Sequence, residues 1–139
     1  MVKTGKEPVL ELDVRLDGFH EVHGKRGEAC MIPFHGTADG PLFQGSILPG
    51  GVDTQTQRKG EARFLSARYI LEGVDADGGS CRIFIENNGA IGPDGITTRP
   101  RIFTDSAVLS WLEDAALCGT VESNGEKRVR ICFYRTEEA

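Results

Sequence analysis

Leu10, Leu12, Val14 and Leu16 alternate with Glu11, Asp13, Arg15 and Asp17. Successive side chains of an extended chain point to opposite faces. This period of two therefore gathers the apolar set on one side and predicts a half-buried strand over residues 10–19. Residues 127–134 repeat the pattern, with Val129, Ile131 and Phe133 opposing Arg128, Arg130, Cys132 and Tyr134. Further apolar-rich runs at 29–37, 42–48, 62–74, 81–87, 97–104 and 116–123 read as strands. Asp39-Gly40, Asp77-Gly78 and Asn124-Gly125 fall between neighbouring runs. Such pairs tolerate positive φ at a turn centre and predict three tight hairpins. Residues 107–115 break the alternation, because Val108, Trp111, Leu112 and Ala115 stand at the spacing of one helical face. Asp105 or Ser106 can accept from an open N–H of its first turn. The pattern predicts an all-β fold, an antiparallel barrel or flattened barrel of about eight strands, with one short helix near the C-terminal hairpin.

Two segments lack an apolar period and read as loops. Residues 48–59 carry Pro49-Gly50-Gly51, and residues 88–96 carry Gly89, Gly92, Pro93, Asp94 and Gly95. Long loops in small domains are where binding and catalytic groups gather. The 139 residues fit one barrel domain, residues 1–139, with fraying expected at the polar tails 1–8 and 136–139.

The net charge of −5 repels phosphate backbones and weighs against a nucleic-acid partner. No run approaches the ~20 apolar residues of a membrane helix. The first residues are polar and lack the apolar run of a signal peptide, so the cytoplasm is the expected location. Cys30, Cys81, Cys118 and Cys132 form no CxxC pair and read as small buried hydrophobes in a reducing compartment.

No GxSxG, P-loop, GxGxxG or HExxH motif occurs, so no cofactor is expected. His20 and His23 form an HxxH pair in a segment without helical spacing, which reads as exposed rather than metal-binding. No metal site is expected. His35 follows Phe34 on a strand and is either an outward histidine or a barrel-lining base.

Asp53 follows Pro49-Gly50-Gly51, where glycines permit a sharp turn and a close ligand. It reads either as a general base or ligand anchor, or as a turn residue bonding its own backbone. Arg68, Glu86 and Arg101 interrupt apolar strands. Pointing inward they must pair with each other or with a ligand anion, and pointing outward they form a solvated face. Tyr69 and Trp111 are core packers whose polar atoms need partners, and Tyr69 can also donate to a ligand carbonyl. Asn87 and Asn88 offer amide contacts, although Asn88-Gly89 is equally a turn.

The stretch Gly45-Ser46-Ile47-Leu48-Pro49-Gly50-Gly51-Val52-Asp53 resembles the signature of the "domain of unknown function 3237" family, in which a strand end leads into a Gly-Gly-x-Asp loop. Ala67-Arg68-Tyr69 followed by Asp77-Gly78 is similar to its second motif, and Asn87-Asn88-Gly89 to its third. Pro100-Arg101 and Trp111-Leu112 resemble its C-terminal block. The resemblance runs from Leu10 to Tyr134, with Thr54 after Asp53 where the family commonly has an aromatic residue. It implies a small calycin-like or cyclase-like barrel with a cavity and no established reaction. It also favours a functional Asp53 and inward-pointing Arg68 and Arg101.

The residues support three functional readings. The leading one is a barrel that binds a small apolar or aromatic organic molecule. Its pocket opens at the end carrying the two loops, with Asp53, Arg68, Tyr69, Glu86, Asn88 and Arg101 as ligand-binding residues. The second is a cofactor-independent enzyme of isomerase, cyclase or lyase type, with Asp53 or Glu86 as catalytic base and an arginine stabilising the oxyanion. The third is a ligand-free assembly protein whose lumen is filled by Phe64, Phe84, Phe103 and Phe133. Strands that are apolar on both faces make a homo-oligomer plausible, a dimer being the commonest form.

Overall fold

A computed structural model describes residues 7–136. The expected fraying of 1–8 and 136–139 falls mostly outside these residues. The chain forms β1 (Leu10–Leu16), β2 (His20–His23), β3 (Gly27–Ala38), β4 (Phe43–Ile47), β5 (Val52–Arg58), β6 (Arg63–Asp75), β7 (Ser80–Gly92), β8 (Gly95–Thr104), β9 (Leu117–Ser123) and β10 (Arg128–Arg135). All pairings are antiparallel. The ring runs β1-β10-β9-β8-β7-β6-β4-β3 and closes through β1 and β3. It is an eight-stranded closed barrel, as the apolar alternation predicts.

The two additional strands extend the wall. β1 and β2 lie end to end along one edge of β3, and β4 and β5 along the other. β5 also pairs with the first half of β6. The segment 48–59, expected as a loop, is therefore largely wall. Its inner face is polar, which is why no apolar period marks it. Between β4 and β5 the chain steps aside at Gly50, whose φ of 111° belongs to the left-handed region that favours glycine. Residues 88–96 are likewise not a long loop. β7 and β8 run on as a ladder to Gly92–Gly95 and turn tightly at Pro93 and Asp94.

All three predicted hairpins form, as β3–β4, β6–β7 and β9–β10. Gly78 and Gly125 take the positive φ expected of them.

The expected helix at 107–115 is a correction. Only Ser110–Glu113 coils, as one 3₁₀ turn. Ser106 caps the segment: its hydroxyl accepts from Leu109 N (3.1 Å) and donates to Asp75 Oδ2 (2.8 Å). Leu109 and Leu112 are driven into the barrel's end by their burial rather than by a helical axis. No helix among the described residues is long and apolar enough to cross a membrane.

Inward positions build one core. Leu12, Phe43, Leu71, Ile83, Leu109 and Phe133 are essentially inaccessible and fill the end of the barrel closed by the 105–116 segment. Each such side chain contributes about 1.5–3 kcal/mol by leaving water. All four cysteines are buried, as expected. Phe64, Phe84 and Phe103 are not lumen residues. Phe84 stacks on Phe103 (centroids 6.1 Å apart) on the outer face, where Phe64 and Phe103 are exposed, and only Phe133 joins the core.

Candidate functional site

At the end opposite this packed core the lumen holds a cavity of about 130 Å³. Its wall is mostly apolar, with Ile32, Phe34, Leu65, Val121 and Ile131 among the lining residues, and its polar side chains are Asp53, Gln55 and Asn87. Leu16, Ile96, Val121 and Val129 form a half-buried rim.

The strand ladder fixes where the polar groups stand. Asp53 on β5 pairs with Ala67 on β6, which pairs with Asn87 on β7, which pairs with Pro100 on β8. Asp53 and Asn87 thus belong to one cross-strand row, separated by a methyl-bearing residue. Asp53 points inward because it shares the row of Ile32 and Ala67, both buried. The alternation then sends Gln55 inward and Thr54 and Thr56 outward.

These groups are incompletely paired. Gln55 Nε2 donates to Asp53 Oδ2 (2.9 Å), and Arg63 Nε donates to Gln55 Oε1 (2.8 Å). Arg63 Nη1 also bridges to Glu28 Oε2 (2.9 Å). A hydrogen-bonded chain therefore leads from Asp53 through Gln55 and Arg63 to Glu28 on β3. Asp53 Oδ1 and Asn87 Oδ1 are buried and have no hydrogen-bond partner among the described residues. Asn87 is 1% exposed. Tyr69 Oη and Thr98 Oγ1 are in the same condition. Tyr69 lies edge-on to Phe34 (5.4 Å), and Phe34 lines the cavity.

Buried polar atoms are nearly always paired, so the two orphans on cavity-lining residues, Asp53 Oδ1 and Asn87 Oδ1, mark the cavity. Burial raises the Asp53 carboxyl above its ordinary value, against the hydrogen bond from Gln55, the charge of Arg63 and a hydrogen bond donated by the Ser66 backbone. Burial also pushes the Tyr69 phenol far upward, so it stays protonated.

Of the residues expected at the site, Asp53 and Tyr69 lie inside the barrel and the other four lie on its exterior. Arg68 is 64% and Arg101 is 61% exposed, which corrects their expected inward orientation. They flank Glu86 in an outer row, each donating to its carboxylate through Nε at 3.0 Å. The hydrogen bond from Arg101, then that from Asn88, holds the Glu86 carboxyl below its usual range, which disfavours it as a base. Asn88 Oδ1 accepts from Ser66 Oγ (2.7 Å) on the same outer face. That face carries a wide, shallow depression of about 620 Å³ lined by Phe64, Ser66, Asn88 and Arg99. None of its polar side chains is both buried and unpaired.

The histidines are peripheral. His23 contacts Glu21 (2.9 Å) and Glu28 (3.4 Å) on exposed β2. His35 faces outward against Asp17 (2.8 Å).

Gln55 and Arg63 are not singled out by the sequence, and of Asn87 and Asn88, both offered for amide contacts, it is Asn87 that faces the lumen. The signal that finds Asn87 is parity: it shares the inward phase of Cys81, Ile83 and Ile85 on β7, whereas Asn88 takes the opposite phase.

Comparison with known proteins agrees with this architecture. A UPF0311 protein of Clostridium acetobutylicum is 36% identical over 89 residues, which cover 60% of this chain and 52% of that protein. The match thus spans about half the length of that curated relative. The crystal structure of a protein of unknown function from the same species superposes with a TM-score of 0.78 at 27% identity, covering 94% of this chain and 95% of the other. The crystal structure of an enzyme from Penicillium herquei superposes with a TM-score of 0.63 at 18% identity, covering 96% and 99%, a likeness of fold alone. The profile of the family described as "Protein of unknown function (DUF3237)" matches residues 5–97, more than half of the chain, and the chain belongs to that family.

Proposed function

We propose that the barrel binds a small, largely apolar organic molecule in its lumen, with Asp53 and Asn87 orienting it. The observation that carries this reading is the pair of buried acceptor oxygens, Asp53 Oδ1 and Asn87 Oδ1, in one row of an apolar cavity with no partner among the described residues. Leaving such atoms unpaired costs about 1–3 kcal/mol each, a cost that a ligand removes by donating to them. An eight-stranded barrel has an interior that either fills with side chains or holds one small ligand. Here one end is filled and the other holds the cavity.

Native mass spectrometry of protein purified from its own cells tests the reading. The wild type is expected to carry a small molecule that Asn87→Leu loses and that Arg68→Ala and Arg101→Ala keep. Loss from the arginine variants with retention in Asn87→Leu would move the site to the outer face.

The raised Asp53 carboxyl favours a second reading, proton-transfer chemistry with Asp53 as base, since burial makes a carboxylate more basic. The arginines take no part in it, because both face outward. Asp53→Asn would then abolish turnover of the retained molecule while the variant still binds it.

A further inference from the structure

The lumen has a polarity as well as a size, and any selectivity drawn from that polarity rests on the reading that the lumen takes a small molecule. Asp53 Oδ2 is already occupied by Gln55 Nε2, so the atom left to a ligand is Oδ1. On the other side of the row the unpaired atom of Asn87 is also an oxygen. Both accept hydrogen bonds. Between them Ala67 contributes only a methyl group, so the space over β6 in this row lies open to a ligand.

Neighbouring strands lie about 4.8 Å apart, which sets the Asp53 and Asn87 Cα atoms about 10 Å apart. The volume sets the size of the occupant, because a cavity of about 150 Å³ takes one benzene and this one measures about 130 Å³. Ile32, Phe34, Leu65, Val121 and Ile131 supply apolar contact for the faces and edges of such a ring.

We propose that the lumen selects a single ring bearing two hydrogen-bond donors on non-adjacent positions, a dihydric phenol being the simplest case, with one donor on Asp53 Oδ1 and the other on Asn87 Oδ1. A ring carrying only acceptors would set oxygen against oxygen at both ends. A ring without polar groups would seal both oxygens away unpaired. A larger molecule is accommodated with its donor-bearing ring lodged in the row and the remainder leaving past Leu16 and Ile96 at the rim.

Resorcinol, meta-cresol and meta-xylene share a ring and a substitution pattern and differ by exchange of hydroxyl for methyl at nearly constant volume. Titration of the wild type with each is followed by calorimetry and by the NMR signals of the Asn87 side-chain amide. Resorcinol is expected to bind tightest, with meta-cresol about tenfold weaker and meta-xylene about tenfold weaker again. Asn87→Leu is expected to bring resorcinol down to the level of meta-cresol. If that variant does not fold, the wild-type series decides alone. Equal affinity for meta-xylene and resorcinol would overturn the two-donor rule and leave the lumen as a binding site. Failure of all three to bind, with the Asn87 amide signals unmoved, would overturn the rule and the lumen reading together.

Discussion

Burying an amide without a partner works against folding, and Asn87 sits almost wholly out of water with its side-chain oxygen unpaired. Asn87→Leu replaces it with an apolar side chain of similar size in a wall already lined by Leu65 and Ile131. The variant is expected to be more stable than the wild type by about 1–2 kcal/mol in denaturant unfolding. A loss of stability would mean that the amide has a structural partner. Asp53 makes a second prediction at this scale. Its folded carboxyl titrates above the ordinary aspartate value of 3.8 that it regains on unfolding, chiefly through desolvation. Stability linked to this group is therefore fully present below pH 3.8 and is lost as pH rises through the folded value. Asp53→Asn removes that titration. The variant should gain on the wild type as pH rises through the Asp53 transition and lose this gain in acid. Unfolding midpoints across pH check it, and a difference that stays constant with pH would contradict it.

Among the elements, those with an apolar period are legible in sequence and those with a polar inner face are not. β1 and β10 declare themselves by alternation, and the Asp-Gly and Asn-Gly pairs place the hairpins. β5 does not, because its inward residues Asp53 and Gln55 are polar and its outward residues Thr54 and Thr56 are polar too. The element that brings polar groups into the candidate site is thus the one that pattern reading misses, since polar side chains on its inner face erase the period. On β6 and β7 both faces are partly apolar, with Ile70 and Phe84 outside and Tyr69 and Ile85 inside. Periodicity there gives the strand and not the lumen side, which is why Arg68, Glu86, Asn88 and Arg101 read as site residues in sequence and stand outside in the fold. Close strand approach supplies an element-scale prediction. Gly73 on β6 faces Gly45 on β4, and a Cβ on Gly73 would run into the Gln44 carbonyl. A backbone atom cannot swing away as a side chain does. Gly73→Ala is expected to cost about 3 kcal/mol in denaturant unfolding, and a change within about 0.5 kcal/mol would show that β4 can move off β6.

For the molecule as a whole, closure of the sheet divides the interior into a packed half and a hollow half. Leu109, Leu112 and Phe133 fill the first, and the row from Asp53 to Asn87 crosses the second. Apart from the Asp53 carboxyl, charge stands outside, in pairs such as Arg68–Glu86 and Arg128–Asp13. The lumen is left with unpaired acceptors in an apolar wall, an arrangement that opposes folding and that the proposed ligand would offset by donating to both. The most direct test is a crystal structure of the protein purified from its own cells, without added ligand. Non-protein density is expected in the lumen, over Ala67, within hydrogen-bond distance of Asp53 Oδ1 and Asn87 Oδ1. A lumen in which those two oxygens are met only by water, or in which the side chains have closed the space between them, would contradict it.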